Sequence, residues 1–243
     1  MRGLDAFSLA RFAAVLAVSN YLVGRLHRKF PEVNVECLPN TIDLSELPPP
    51  ARTRDNLILF AGRMVADKGA DGFVAALTRL LPRLPGWRAI MIGADRFGPD
   101  SPETAFLTAL RPQAAAAGII FAGYQPYAQV MHAMARAAIV VVPSRWDEPF
   151  GLTALEAMAN GAALVCSRRG GLAELVSDAA LDCDPDDPAA LAETLYKLAS
   201  NPSLRDSLAD RGLVRARAFD TPLIACALDA WRTRMLAKAE QEI

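Results

Sequence analysis

Five short, nearly unbroken apolar runs, at 57–61, 89–92, 119–122, 139–142 and 163–166, alternate with stretches of helical periodicity through the middle of this 243-residue chain. A strand without a polar face must be covered on both sides, and helices lying between such strands supply the cover. The pattern therefore predicts an α/β fold built on a Rossmann-like, doubly wound parallel sheet. Helices are predicted over 69–81, 102–117, 127–136, 152–160 and 172–176, the fourth stopped by Gly161. Further on, Asp187-Pro188 and Asn201-Pro202 each place a capping side chain before a proline at the first helical position, marking two more helix starts. A last helix over 222–239 carries Leu228, Trp231 and Met235 at helical spacing, which reads as a packing stripe.

The bulk numbers narrow the function classes. With 52% hydrophobic and 22% charged residues the chain can bury a real core. Its net charge of −1 gives no electrostatic reason to expect nucleic acid. Arg25, His27, Arg28 and Lys29 form one local basic cluster, read as a solvated face, with peripheral membrane contact as the alternative. Cys37, Cys166, Cys183 and Cys226 show no C-x-x-C pairing and no metal-ligand spacing, and Cys166 ends an apolar run as a buried residue would. Reduced thiols fit a cytoplasmic protein. His27 and His132 are the only histidines, so no metal is expected and a Ser-His-Asp triad is hard to assemble. The apolar stretch 12–18 after Arg2 has a superficial likeness to a signal peptide, but Asp5 and Arg11 interrupt the pattern.

The proline-rich segment 47–56 reads as a stiff connector. Before it, apolar positions over 9–16 suggest a helix, 15–18 a short strand, 20–29 a helix and 33–38 another strand. Some ~40 residues are too few for an independent core. Segment 1–46 thus reads as the remnant of a larger domain whose beginning is missing, and 57–220 as the main domain, followed by the helical segment 221–243. The apolar face left open by a missing domain makes a homodimer an expected consequence.

Two stretches carry candidate chemistry. Gly62-Arg63-Met64-Val65-Ala66-Asp67-Lys68-Gly69 follows the first strand and opens a helix. A guanidinium and an ammonium beside helix N–H groups suit a phosphate: Arg63 as a bidentate clamp, Lys68 as a point charge. An exposed basic loop is the plain alternative. The second stretch, Glu148-Pro149-Phe150-Gly151-Leu152-Thr153-Ala154-Leu155-Glu156, sets two glutamates eight positions apart. Glu148 falls on the turn after a strand and Glu156 inside the next helix, whose inward stripe is read as Leu152, Leu155 and Ala159. Glu156 lies about 40° from Leu152 on the helical wheel, beside that stripe. It needs a partner, either a ligand diol or a protein donor. Gly151 and Leu152 can offer helix-start N–H groups to a second phosphate. Arg168-Arg169-Gly170-Gly171 reads as a flexible cationic loop on the same rim, unless its arginines are simply solvated.

Taken in order, these pieces resemble the donor-binding half of GT-B retaining glycosyltransferases. The matching features are Ala17-Val18-Ser19, Pro39-Asn40-Thr41-Ile42-Asp43, Gly62-Arg63 with Lys68-Gly69, Pro143-Ser144, the Glu148 to Glu156 segment, Ala157-Met158-Ala159-Asn160-Gly161, and Gly170-Gly171 with Glu174. The resemblance implies a nucleotide sugar (UDP-, GDP- or ADP-linked) as donor, transfer with retention, no cofactor and an acceptor that the sequence does not identify. It implies that Arg63 and Lys68 neutralise the diphosphate, that Glu148 meets the transferred sugar and that Glu156 holds the ribose. Backbone at Phe150, Gly151 and Leu152 would meet sugar and phosphates, and the base would lie near Gly123 and Tyr124. By the same resemblance 1–46 is what is left of the acceptor domain, so the chain alone would not turn over. A non-catalytic nucleotide- or partner-binding module and a sugar-nucleotide epimerase are the rival readings. Thr41 departs from the family's usual glycine.

Overall fold

The apolar run that the sequence places fourth is buried along its whole length, and its side chains divide between two cores. In the computed structural model, which describes residues 14–49, 51, 53–95 and 103–241, it forms strand β6 (Ala137–Val142) at the middle of a six-stranded parallel sheet. Ile139 and Val141 join one core while Val140 and Val142 join the other. Successive strand residues point to opposite faces, so a run buried on both sides has to be apolar throughout.

The sheet order is β5-β4-β3-β6-β7-β8, with β3 at Asp55–Ala61, β4 at Arg88–Ile92, β5 at Ile120–Gly123, β7 at Ala163–Cys166 and β8 at Ala180–Asp182. Helices α2 (Ala70–Leu80), α3 (Ala105–Ala116) and α7 (Pro188–Ala199) supply residues to the first core. Helices α4 (Tyr127–Arg136), α5 (Leu152–Ala159) and α6 (Leu172–Val176) supply the second. The doubly wound parallel sheet expected from the sequence is what the chain adopts. Its β8, only three residues long, is an addition, since a run that short carries no readable period.

The two marked helix starts behave as their caps dictate. Asp187 accepts from the amides of Ala189 and Ala190 at the head of α7, and Asn201 accepts from Leu204 at the head of α8 (Pro202–Ala216). Helix α9 (Thr221–Gln241) follows, with Ile224 buried and Leu228, Trp231 and Met235 half-buried along one face.

Upstream, β1 (Val15–Ala17) and β2 (Val35–Cys37) pair in parallel, with α1 (Asn20–Lys29) between them, around a small core of Ala17, Leu26, Phe30, Val33 and Val35. The helix expected over 9–16 lies mostly outside the described residues; of it and of the signal-like stretch 12–18, the described part includes residues of strand β1. Two contacts fix α1 against the main sheet. The Glu174 carboxylate accepts from the amides of Asn20 (2.8 Å) and Tyr21 (3.1 Å), and the Ser19 hydroxyl donates to the Pro149 carbonyl. Negative charge at a helix N-terminus is favourable, so Glu174 serves as a cap supplied from far along the chain. The segment leading from β2 bonds to the start of α9, with Ile42 N–H donating to Phe219 at 2.9 Å and Thr221 N–H to Ile42 at 3.0 Å. No described helix is long and apolar enough to cross a membrane.

Arg54, just ahead of β3, ties down the opposite edge of the sheet. Its guanidinium donates to the carbonyls of Ala135 (2.9 Å), Ala137 (3.1 Å) and Asn160 (2.7 Å). These are carbonyls at the ends of α4 and α5, which have no helical partner of their own. Replacing Arg54 by Met leaves them without a donor, and unfolding in urea is expected to show a loss of about 3 kcal/mol. A change below ~0.5 kcal/mol would mean that water replaces the guanidinium freely.

Candidate functional site

The chain order reverses between β3 and β6: β4 and β5 lie to one side, β7 and β8 to the other. The loops leaving the carboxyl ends of β3 and β6 therefore part company and open a crevice, the position at which open α/β sheets hold ligands. Two adjoining cavities lie there. The first, about 410 Å³, has Lys68, Ser144 and Glu148 in its wall, with Asn40, Phe150, Gly151 and Leu152. The second, about 310 Å³, has Tyr124, Gln125, Tyr127 and Glu156 in its wall. Gly62, Arg63 and Thr153 belong to both.

Lys68 and Glu148 meet as an ion pair across the first cavity. The loop after β3 is latched to the end of β6, because the Asp67 carbonyl accepts from the amides of Arg145 (2.8 Å) and Trp146 (3.0 Å). That latch holds Lys68 opposite Glu148. From behind, Gly170 and Gly171 hold the Glu148 turn: the Gly171 amide donates to the Glu148 carbonyl at 2.6 Å. A β-carbon on Gly170 would stand 2.4 Å from that carbonyl oxygen, and its φ of +66° is itself unfavourable to side chains. Both glycines are thus required by the close approach of two backbones.

Arg63 is exposed at the junction of the two cavities, and its guanidinium meets no carboxylate among the described residues. Gly151 caps α5 with no side-chain acceptor, so the first-turn amides of Leu152 and Thr153 are left without one at the cavity wall. The site offers one guanidinium, one ammonium and a helix N-terminus to an anion. Glu156 differs from Glu148. No donor among the described residues reaches its carboxylate, and burial pushes it from 4.5 up to about 7. Burial, and after it the charge of nearby Glu156, raise the Tyr127 phenol. Tyr124 and Tyr127 leave more than half of their surface exposed above this second cavity.

Of the residues singled out in the sequence, Gly62, Arg63, Lys68, Glu148, Phe150, Gly151 and Leu152 stand around the first cavity. Tyr124 and Glu156 stand around the second. Gly123 is not on either wall; its carbonyl accepts from Gly93 (2.8 Å), which is. Three readings need correction. Leu152 is 48% exposed on the wall of the first cavity and is not part of the inward stripe; Ala154, Leu155, Ala157 and Met158 face the core. Arg168 is no loose cation, because it pairs with Asp182 and donates to the carbonyls of Ser177 and Ala180. Arg169 is held by Asp186 (2.8 Å) and the Arg145 carbonyl (3.0 Å). Ser144, Thr153 and Asn40 were given no role from sequence. Asn40 and Ser144 lie inside the Pro39 to Asp43 and Pro143-Ser144 motifs, and Thr153 lies one helical turn before Glu156. Among the described residues no group of three or more His, Cys, Asp or Glu is placed to hold a metal.

Comparisons with known proteins identify the family and the fold. A family model described as "Glycosyl transferases group 1" matches residues 46–214. The lipopolysaccharide core biosynthesis mannosyltransferase LpcC of Rhizobium leguminosarum bv. viciae is 30% identical over 226 residues, covering 86% of this chain and 61% of that protein. A D-inositol 3-phosphate glycosyltransferase of Frankia alni is 37% identical over 170 residues, 68% of this chain and 42% of its own length. The chain spans less than two thirds of either relative. Among solved structures, sucrose-phosphate synthase from Thermosynechococcus elongatus superposes with a TM-score of 0.80 at 23% identity, over 96% of this chain and 61% of that one. Anabaena Alr3699/HepE in complex with UDP and glucose superposes with a TM-score of 0.79 at 20% identity, over 95% of this chain and 67% of that one.

The Glu156 environment has a consequence for stability. A carboxyl that titrates at about 7 when folded and near 4.5 when unfolded holds its proton longer in the folded chain. Stability is then greatest below the unfolded value and is lost as pH rises through the folded one. At pH 8 the unpartnered anion costs on the order of 3 kcal/mol. Glu156→Gln is expected to raise the Tm at pH ~8 and to change it little near pH ~4.5. Thermal melts across that range check this, and an equal shift at both ends would contradict it.

Proposed function

The chain belongs to the glycosyl transferases group 1 family, and from that premise we propose that its two adjoining cavities bind a nucleotide sugar as glycosyl donor. The observation that carries the proposal is the unpartnered Glu156 carboxylate, held at the wall of one cavity while the Lys68–Glu148 pair occupies the other and Arg63 stands between them. A nucleoside diphosphate sugar has matching parts in the same order. Its ribose diol donates two hydrogen bonds to one carboxylate, as the Glu156 anion requires. The base lies over Tyr124. The diphosphate meets Arg63, Lys68 and the first-turn amides of α5. The sugar then sits by Glu148.

The chemistry follows from the placement of charge. When the sugar leaves, negative charge grows on the diphosphate, where fixed cations and helix amides stabilise it. Glu148, with one oxygen engaged by Lys68, orients sugar hydroxyls; the acceptor oxygen bonds to the anomeric carbon on the face from which the diphosphate departs, its proton passes to the departing diphosphate oxygen, and configuration is retained. The UDP- and glucose-containing Anabaena structure of the same fold supports the donor class. The acceptor is not specified by these two cavities. The relatives' greater length leaves room for acceptor-side residues, and turnover is expected only where such residues face the donor.

Isothermal titration with UDP-, GDP- and ADP-sugars tests the donor site. One of the three series is expected to bind at a single site, and Arg63→Met to weaken it by roughly tenfold or more through loss of charge-assisted hydrogen bonds. A folded sample that binds none of the three would overturn the proposal.

A further inference from the structure

Ser144 lies in the second half of the Pro143-Ser144 pair that ends the central strand, and it is fully buried. Its hydroxyl has three acceptors in reach: Glu148 Oε1 at 2.8 Å, the Asp67 carbonyl at 3.2 Å and the Trp146 carbonyl at 3.3 Å. A hydroxyl has one proton to give, and the short contact to an anionic oxygen is the strongest of the three. Ser144 is itself held in place, because the Ser167 hydroxyl donates to its carbonyl at 2.7 Å.

The second donor to Glu148 is Lys68, and it reaches the same oxygen, Oε1. Both protein donors therefore converge on one oxygen of the carboxylate. Among the described residues none donates to Oε2. A carboxylate has about four lone-pair sites, two on each oxygen. Those on Oε1 are taken up by the ammonium and the hydroxyl, while those on Oε2 remain for a ligand. The turn below the carboxylate is fixed by Gly170 and Gly171 and the loop above it by the Asp67 latch. With both backbones fixed, the remaining freedom is rotation of the Glu148 side chain, and this is what a second donor on Oε1 removes.

The geometry points to Ser144 as a positioning residue that, together with Lys68, locks Glu148 so that Oε2 alone is presented to a hydroxyl of the transferred sugar. The inference rests on the donor-site reading above and adds which oxygen receives the sugar and which buried side chain enforces the choice. Lys68 by itself would be a poor lock. An ammonium on a flexible stem follows a rotating carboxylate, and the diphosphate competes for it when the donor binds. A buried hydroxyl on the strand end does neither. The recognition of the sugar is thereby separated from the recognition of the diphosphate, although Lys68 serves both.

The test compares two classes of ligand in the wild-type chain and in two variants. Nucleoside diphosphates (UDP, GDP and ADP) and their glucose and mannose conjugates are titrated into the wild-type chain and into Ser144→Ala, with Tm recorded for each. In the variant, the affinity for the diphosphate alone is expected to stay within about twofold, while the affinity of the conjugate relative to the diphosphate falls by roughly tenfold. Ser144→Thr, which restores a hydroxyl, is expected to recover most of that ratio. A merely structural role would lower Tm and weaken both ligands alike, and that result overturns the inference. An unchanged ratio in Ser144→Ala overturns it as well, with the donor site left standing. If the wild-type chain binds none of the nucleotides, the donor-site reading fails first and the inference falls with it.

Discussion

The parallel pairing of β3 with β6 determines where every functional side chain stands. There the chain order of the sheet reverses, and the two neighbouring strands send their following helices to opposite faces. The loops at their carboxyl ends must separate, and the space between them cannot be filled by a helix from either side. Lys68 comes from the loop after β3, and Ser144 and Glu148 from the loop after β6. The register that pairs Phe60 with Val141 thereby brings an ammonium and a carboxylate into contact although they are eighty positions apart. The apolar continuity of β6 is what makes that register tolerable, since a polar residue there would have no water on either face.

Electrostatics then divides the crevice into two kinds of environment. Around Glu148 the fold supplies the partners: a cation, a hydroxyl and two fixed backbones. Around Glu156 none of the described residues donates to the carboxylate, and burial raises it to about 7. A half-buried carboxylate with no donor among the described residues is a cost that the rest of the fold has to offset, and it stands at the wall of a cavity, where a ligand can satisfy it. Arg63 is the matching case for positive charge, exposed at the junction of both cavities and without a carboxylate partner among the described residues. Arg168 and Arg169, a few residues from the same rim, are each held by aspartates near β8 and so add stiffness to the Gly170-Gly171 brace.

The fold was largely legible because its strands are buried on both faces and its helices carry explicit punctuation. Ile139 to Val142 admit no amphipathic alternative, and Asp187-Pro188 and Asn201-Pro202 announce helix starts through side chains that do cap them. β8 was missed because Ala180–Asp182 is too short to show a period. That omission hid Asp182, and with it the reason that Arg168 is not a free cation. The site was legible as residue types at strand ends, Gly62-Arg63, Lys68 and Glu148. Its internal wiring was not: that both donors choose one oxygen of Glu148, or that Leu152 lines a cavity instead of the core, depends on how the loops after β3 and β6 meet, which no wheel or spacing contains. Glu174 was visible only as part of a motif, whereas its capping of α1 spans more than 150 positions of sequence.

The central claim is that the Glu156 anion receives the ribose diol of a nucleotide sugar. Because the free carboxyl titrates at about 7, roughly half of it is protonated at pH 7. A diol that donates both its protons selects the ionised form, and a sugar diphosphate diester brings no titrating group of its own at that pH. Calorimetric titration of the bound nucleotide sugar at pH 7, repeated in buffers of different ionisation enthalpy, measures the proton count directly. Release of about half a proton per ligand is the result predicted by linkage. Proton uptake, or a binding enthalpy identical in every buffer, would contradict the account.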